Sequence, residues 1–296
     1  LRVGSKSKLQ KVPYAFVLPA VLLYLLFFIY PSIQSFYYAL TDWNGVYPDF
    51  NIVGMENFIN LFDNLRFRAA FENTLLYAVG LTLGQSMLGL VFALLLHGGF
   101  KGQSFFRSVF FSPQIMSLLA IGYLWTFIYD PSSGSLNTIL NELGLSGLAM
   151  NWLGDLNIAI WSVIAVSIWQ GAGWCMIIYL ANLQSVPKEL YEAASIDGAG
   201  RMKQFLHVTF PLLGPAVTIT IVTGMINGLK AFDLVMSMTR GGPGYVTESI
   251  STVMYDTAFN RNLFGEAQAM GIVMFIIIFI ITIIQLTLLK KREVDM

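Results

Sequence analysis

Charge is what this chain has least of. Only 11% of its 296 residues are Asp, Glu, Lys or Arg, against roughly 25% in soluble domains, too little to coat a water-facing surface. Seventeen basic residues balance seventeen acidic ones, so no net charge speaks for a nucleic-acid partner. With one cysteine, Cys175, no internal disulfide can form, and with only His97 and His207 beside it no metal site is expected. Cys175 lies inside an apolar run and reads as a small buried hydrophobe. A phosphate-cradling loop is missing too. "GGFKGQS" (98–104) has no Gly-Lys-Ser/Thr order, and it joins two apolar runs rather than a strand and a helix.

What is present is length and oil. The chain is 56% hydrophobic with a mean hydropathy of +0.66. Six apolar stretches, at 14–38, 71–96, 106–129, 158–183, 212–238 and 267–289, are each long enough to cross a bilayer as a helix. The first is too long for the core of a signal peptide and has no small-residue cleavage site, so it reads as a retained span. Lys and Arg set the orientation. The segments 1–13, 97–107, 184–211 and the tail hold twelve of them, while the opposite side holds Arg66, Arg68, Arg240 and Arg261. Both termini are therefore expected in the cytoplasm. The expected division is a cytoplasmic segment 1–13, a six-helix membrane domain 14–290 that includes a cytoplasmic loop 184–211, and a cytoplasmic tail 291–296. Of the outer connections, 39–70 places Phe58, Leu61 and Phe62 at helical spacing, 130–157 opens on the turn "DPSSGS", and 239–265 opens on "TRGGPGY".

The loop 184–211 is unusual in being polar, helical in pattern and short. Leu190, Ala193, Ala194 and Ile196 are expected on one side of a helix, with Lys188, Glu189, Glu192 and Asp197 in water. Ser185 is a candidate cap for its start, and Gly198 and Gly200 can end it because glycine tolerates left-handed backbone. Such a helix can be a knob for a groove in another protein, or an amphipathic helix lying on lipid; its residues alone leave both open.

Glu192-Ala193-Ala194, then Gly198, Val208 and Phe210-Pro211 at fixed spacing, resemble the cytoplasmic "EAA" signature of binding-protein-dependent ABC importer permeases. That signature usually has isoleucine at the place of Val208 and leucine at that of Phe210, so apolar bulk is kept. "YPSIQSFYYALTDW", "GMENFINLF", "FENTLLYA" and "TRGGPGYVTES" extend the resemblance over nearly the whole chain, to the carbohydrate-type permeases and their first membrane subunit. The resemblance implies a type I importer permease in a prokaryotic cytoplasmic membrane. Its partners would be a second permease, two cytoplasmic ATPase subunits that carry ATP and magnesium, an extracytoplasmic solute-binding protein, and a sugar. It also makes Glu189, Glu192, Ala193, Ala194, Asp197, Gly198 and Pro211 the ATPase-coupling residues, and leaves this chain with no catalytic residue or cofactor of its own.

Polar groups inside membrane helices are costly unless they face a cavity or another helix. Trp169, Gln170 and Trp174 in the fourth span, and Asn227, Lys230 and Asp233 in the fifth, are therefore candidates for a sugar path, with Trp125 and Gln85 behind them. Aromatic faces stack on sugar CH surfaces and amides bond hydroxyls. The alternative is that Lys230 and Asp233 pair on one helix face while the tryptophans sit at the lipid interface. Gly241, Gly242 and Pro243 form either an outer gate or a tight connector. Two other functions compete. An ion-coupled secondary transporter should show paired interrupted helices, which the sequence does not announce. A membrane enzyme should show convergent acids, bases or metal ligands, and the two histidines instead lie at span ends.

Overall fold

The computed structural model describes residues 17–291, and among them no strand forms beyond an isolated antiparallel bridge between Thr41 and Ile52. Four helices are long and apolar enough to cross a membrane unbroken: α1 (Leu18–Tyr38), α3 (Leu65–His97), α7 (Ala159–Ser185) and α13 (Phe264–Lys290). Two further spans are bent pairs. α4 (Gln103–Ile115) meets α5 (Leu118–Ile128) at 98°, and α9 (Arg201–Leu212) meets α10 (Gly214–Leu229) at 64°. Counting each pair as one span makes six, as the sequence reading expects. The expected start of the first span at 14, and the segments 1–13 and 292–296, lie outside the described residues.

The differences from expectation have local causes. α3 begins at 65 rather than 71 because Asn64 caps it, its Oδ1 accepting from the amides of Arg66 and Phe67. Arg66 and Arg68 thus belong to a helix that rises above the apolar region. The third span breaks where Ser112-Pro113 starts a 3₁₀ turn and Met116 and Ser117 are extended, since proline removes a backbone donor and crowds the preceding turn. The fifth span does not run to 238. It ends at Leu229, and after a non-helical Phe232 a separate helix, α11 (Asp233–Met238), follows. Interrupted helices are therefore present where the sequence announced none. Between the spans lie α2 (Glu56–Asp63), α6 (Ser135–Glu142), α8 (Lys188–Ile196) and α12 (Ile250–Tyr255), the last continuing as a π turn to Asn260. Within α2, Leu61 is fully buried while Phe62 is largely exposed.

α3, α7 and α10 form the centre. Cβ atoms added at Gly89, Gly173 and Gly228 would lie 2.5 Å from Cys175 Cβ, 2.3 Å from Phe110 O and 2.5 Å from Ala78 Cα. Lipid tails are as apolar as leucine, so helices in a bilayer associate through such close packing and through hydrogen bonds. Both are here: Tyr179 OH lies 2.6 Å from Ser86 Oγ and 2.9 Å from Thr220 Oγ1, a buried hydroxyl cluster joining the three helices. Cys175, fully buried, packs with Met176, Leu180 and Ala93 towards the end of α3 that carries His97. At the other end, α12 and α13 pack Ile250, Val253 and Met270 against Phe67 and Ala70. α1 has no buried residue.

A side chain at Gly228 must displace backbone, so Gly228→Val is expected to destabilise the chain by about 1–3 kcal/mol despite valine's better helix propensity. Gly271→Ala meets only Met254 Sδ at 3.5 Å and should be neutral or mildly stabilising. Thermal unfolding in detergent separates the two.

Candidate functional site

The two interrupted spans point their breaks at one place. A cavity of about 360 Å³ lies there, lined from α3 by Tyr77, Leu81 and Gln85, from the α4 turn by Gln114, and from α7 by Ser167 and Gln170. Asn227, Lys230, Phe232 and Asp233 close it from the break between α10 and α11. Leu81 is the central residue of α3, so the cavity sits near mid-depth. Non-helical backbone at that depth is tolerated where it borders a cavity.

The electrostatics of the break are orderly. Lys230 caps the C-terminal end of α10 and Asp233 opens α11, the ends at which a cation and an anion are each favoured by the helix dipole. They are not on one continuous helix face, and they do not pair with each other. The ion pairs among the described residues are Arg66–Glu248, Arg66–Asp256 and Arg68–Asp63. The pairing alternative for Lys230 and Asp233 is thereby removed: the chain turns between them.

Gln85 owes its place to two glycines. A Cβ at Gly171 would stand 2.4 Å from its Oε1, and one at Gly224 would stand 2.7 Å from its Nε2. Tyr77 OH and Ser167 Oγ are 2.6 Å apart, and Gln114 Oε1 is buried without a partner. Amides, hydroxyls and one charge of each sign thus surround the space, a lining that can share hydrogen bonds with a neutral polyol. Of the sequence candidates, the structure brings together Gln170, Asn227, Lys230, Asp233 and Gln85. It does not bring Trp169 or Trp174 to them. Trp169 is 38% exposed and packs edge-on against Trp125 at 5.5 Å, and Trp174 packs on the Cys175 cluster. Tyr77, Ser167 and Gln114 were missed; the Ser-Pro-Gln break in the third span was the available signal for Gln114.

A second polar centre lies some 22 Å along α3 from Leu81, at 1.5 Å per residue, where Arg66 gathers two acids. Its Nε and one Nη donate to Glu248, and the other Nη donates to Asp256 Oδ2 at 2.7 Å. The guanidinium also lies 4.9 Å from the Tyr245 ring centre. This fastens the loop 239–249 to α3. The loop is left-handed at Arg240, Gly241, Gly244 and Tyr245, and a Cβ at Gly241 would meet Glu248 Cγ at 2.5 Å. Gly241 is buried, Gly242 and Pro243 half-buried. Glu248 and Asp256 stand 182 and 190 positions from Arg66, a separation no local pattern reveals. Asn260, donating to Asp256 Oδ1 at 2.8 Å, and then Arg66 hold the Asp256 carboxyl below the ordinary carboxylate range, against the raising effect of partial burial.

On the Lys- and Arg-rich side, α8 stands apart. Glu189, Glu192, Ala193, Asp197 and Gly198 are exposed, and Ala194 is half-buried, as is Pro211 within α9. The start is not capped by Ser185, which ends α7 and donates back to Asn182 O; Pro187 is the capping position. Gly198 is left-handed, as expected, while Gly200 is extended. Ile196, two residues past Ala194 and so about 200° around the helix, is 86% exposed rather than on a shared face. Tyr191 turns inward instead, its hydroxyl 3.1 Å from Thr209 Oγ1. Gln204 Nε2 donates to Ser195 Oγ and Ala199 O, so α8 is tied to α9 by side chains.

Known proteins resemble this chain over most of its length. The profile of a family described as binding-protein-dependent transport system inner membrane component matches residues 85–294. A probable ABC transporter permease protein of Bacillus subtilis, YurN, is 37% identical over 95% of this chain and 97% of its own. The probable starch degradation products transport system permease protein AmyD of Thermoanaerobacterium thermosulfurigenes is 35% identical over 95% and 94%. The trehalose/maltose transport system permease protein MalF of Thermococcus litoralis is 30% identical over 97% of each chain. In fold, the chain is similar to a crystal structure of a bacterial ABC transporter involved in import of the acidic polysaccharide alginate, with a TM-score of 0.82 over 94% of each chain at 24% identity.

Removing Arg66 leaves the buried Glu248 without its cation, so Arg66→Gln should cost about 3 kcal/mol. Arg66→Gln with Glu248→Gln should recover part of that loss, as thermal unfolding of both variants in detergent will show. Asp256 has a lowered folded pKa, so its contribution is full above the ordinary Asp value of about 3.9 and is lost only as pH falls through the lower folded value. The wild-type midpoint should owe Asp256 no change between neutrality and pH 5.

Proposed function

Because the chain belongs to the binding-protein-dependent transport system inner membrane components, we propose that it is one membrane subunit of an ATP-driven importer. With a second permease it forms the path for a neutral oligosaccharide handed over by a solute-binding protein outside a prokaryotic cytoplasmic membrane. Two ATPase subunits bind ATP and magnesium and hydrolyse the nucleotide on the cytoplasmic side. The observation that carries this reading is the mid-depth cavity, built from amides, hydroxyls and a balanced Lys230 and Asp233 at the end of α10. The relatives named for starch degradation products and for trehalose and maltose support a sugar as the cargo. A further solved complex, of a bacterial alginate ABC transporter with an alginate pentasaccharide-bound periplasmic protein, supports the external partner.

In this reading α8 is the coupling helix. Its exposed acids and apolar Leu190 and Ile196 have no partner helix over them among the described residues, and the Tyr191–Thr209 and Gln204–Ser195 bonds pass its movement to α9 and α10. The loop 239–249, fastened by Arg66, shapes the outer surface where the binding protein docks. Gln170 and Asn227 contact solute, and Trp169 and Trp174 support α7 from outside the cavity.

The test is uptake by the complex reconstituted in vesicles, with basal ATPase measured alongside. Gln170→Ala and Asn227→Ala should each lower uptake about fivefold to tenfold, the effect of losing a hydrogen bond worth about 1 kcal/mol or slightly more. Basal ATPase and the binding protein's own affinity should stay unchanged, and Trp169→Ala should keep uptake within about twofold. Glu192→Lys should abolish uptake while the spans still insert, because a reversed charge on the exposed face of α8 opposes docking. Normal uptake in both cavity variants would remove the site, and normal uptake in Glu192→Lys would remove the coupling assignment.

A further inference from the structure

The bend that opens the fifth span creates a feature unrelated to the solute. α9 leaves the direction of α10 by 64°, which carries it towards the membrane plane on the side where Lys and Arg are concentrated. Met202, Leu206 and Phe210, four residues apart, form a stripe along it that is 70%, 52% and 49% exposed. A helix with one exposed apolar stripe at the edge of the bilayer lies with that stripe in the acyl region. Behind it is a cavity of about 510 Å³ between the ends of α3 and α7 and the α8–α9 corner. Its walls are apolar at Leu94, Leu183 and Phe205, and its polar rim holds His97, Arg201 and Gln204. Among the described residues no carboxylate lines it and Arg201 has no ion-pair partner.

We propose that this cavity is a binding site for one anionic phospholipid, whose phosphate is held by Arg201 with His97 and whose chains lie along Leu94, Leu183 and the α9 stripe. The chemistry is a phosphate-bearing headgroup joined to hydrocarbon. A basic rim over apolar walls at the lipid boundary recognises both parts, whereas a free anion needs only the first. The site touches Tyr191 and Thr209, the pair that joins α8 to α9, so lipid composition acts on the corner that links the polar loop to the fifth span. The inference concerns lipid alone and stands whether or not the mid-depth cavity carries sugar.

Native mass spectrometry of the full chain in detergent, exposed to equal amounts of phosphatidylglycerol and phosphatidylcholine, tests it. The wild type should retain phosphatidylglycerol about fivefold over phosphatidylcholine, the factor one cation supplies near an anionic surface. Arg201→Gln should bring the ratio towards one, while Arg201→Lys, which keeps the charge, should hold it. Lys203→Gln is the control, being a cation of the same helix outside the cavity. Equal retention of the two lipids by the wild type, unchanged preference in Arg201→Gln, or an equal loss in Lys203→Gln overturns the site. Inorganic phosphate bound by the wild type and lost in Arg201→Gln, with no lipid preference, assigns the rim to a free anion and overturns the lipid.

Discussion

The close approach of α3, α7 and α10 governs everything else in this molecule. In a bilayer there is no water to expel from between helices, so contact distance and hydrogen bonding must hold them. Gly89 and Gly228 let the backbones come within reach, and the Ser86–Tyr179–Thr220 hydroxyls close the contact from inside. The cavity is a consequence of the same packing. Gly171 and Gly224 leave just the space that the Gln85 amide occupies, so a polar side chain reaches the wall of a cavity without separating the helices. A larger residue at either glycine would displace the Gln85 amide or hold the helices apart.

A packed core of three helices leaves the other spans to absorb irregularity. The third and fifth both break, at Ser112-Pro113 and after Leu229, and both breaks face the core rather than lipid. This is where broken backbone costs least, because its freed amides and carbonyls meet polar neighbours and a cavity instead of hydrocarbon. The break in the fifth span also separates Lys230 from Asp233, placing each at the helix end that favours its charge. A continuous helix would have set them three apart, where they could neutralise each other and leave the cavity to apolar walls.

Much of this was legible in the sequence because hydrocarbon imposes simple rules. Apolar length marked out the six spans, and Gln170, Asn227, Lys230 and Asp233 were conspicuous because polar residues in such spans need a reason. Periodicity failed where the decisive contact was distant or the backbone stopped being periodic. The Arg66 cluster depends on partners 182 and 190 positions away, and the start of α3 depends on the Asn64 cap rather than on oil. Tryptophan chemistry misled: Trp169 and Trp174 can stack on sugars, yet their positions on α7 turn them to Trp125 and to the Cys175 cluster. In the polar loop, composition marked the charged residues as exposed but missed the turn of the helix, which sends Tyr191 inward and leaves Leu190 and Ile196 outward.

The two ends of α10 make the proposed division of labour physically coherent. Its 16 residues span about 24 Å, from the bend at Leu213 beside α9 to the break at Lys230 beside the cavity. A regular helix of that length moves as one body, and its deformable points are the two interruptions. The inner one is tied to α8 through Tyr191, Thr209 and Gln204; the outer one carries the charged groups of the cavity. Between them, Thr220 is bonded to Tyr179 of α7, and Gly228 rests on Ala78 of α3. Movement of α8 therefore cannot slide α10 freely along its neighbours. In the proposed coupling α10 would pivot on the hydroxyl cluster, and a pivot moves the cavity end opposite to the loop end. On that proposal, force applied at the polar loop would reach Asn227 and Lys230 as a change in the shape of the cavity rather than as a translation of the whole span.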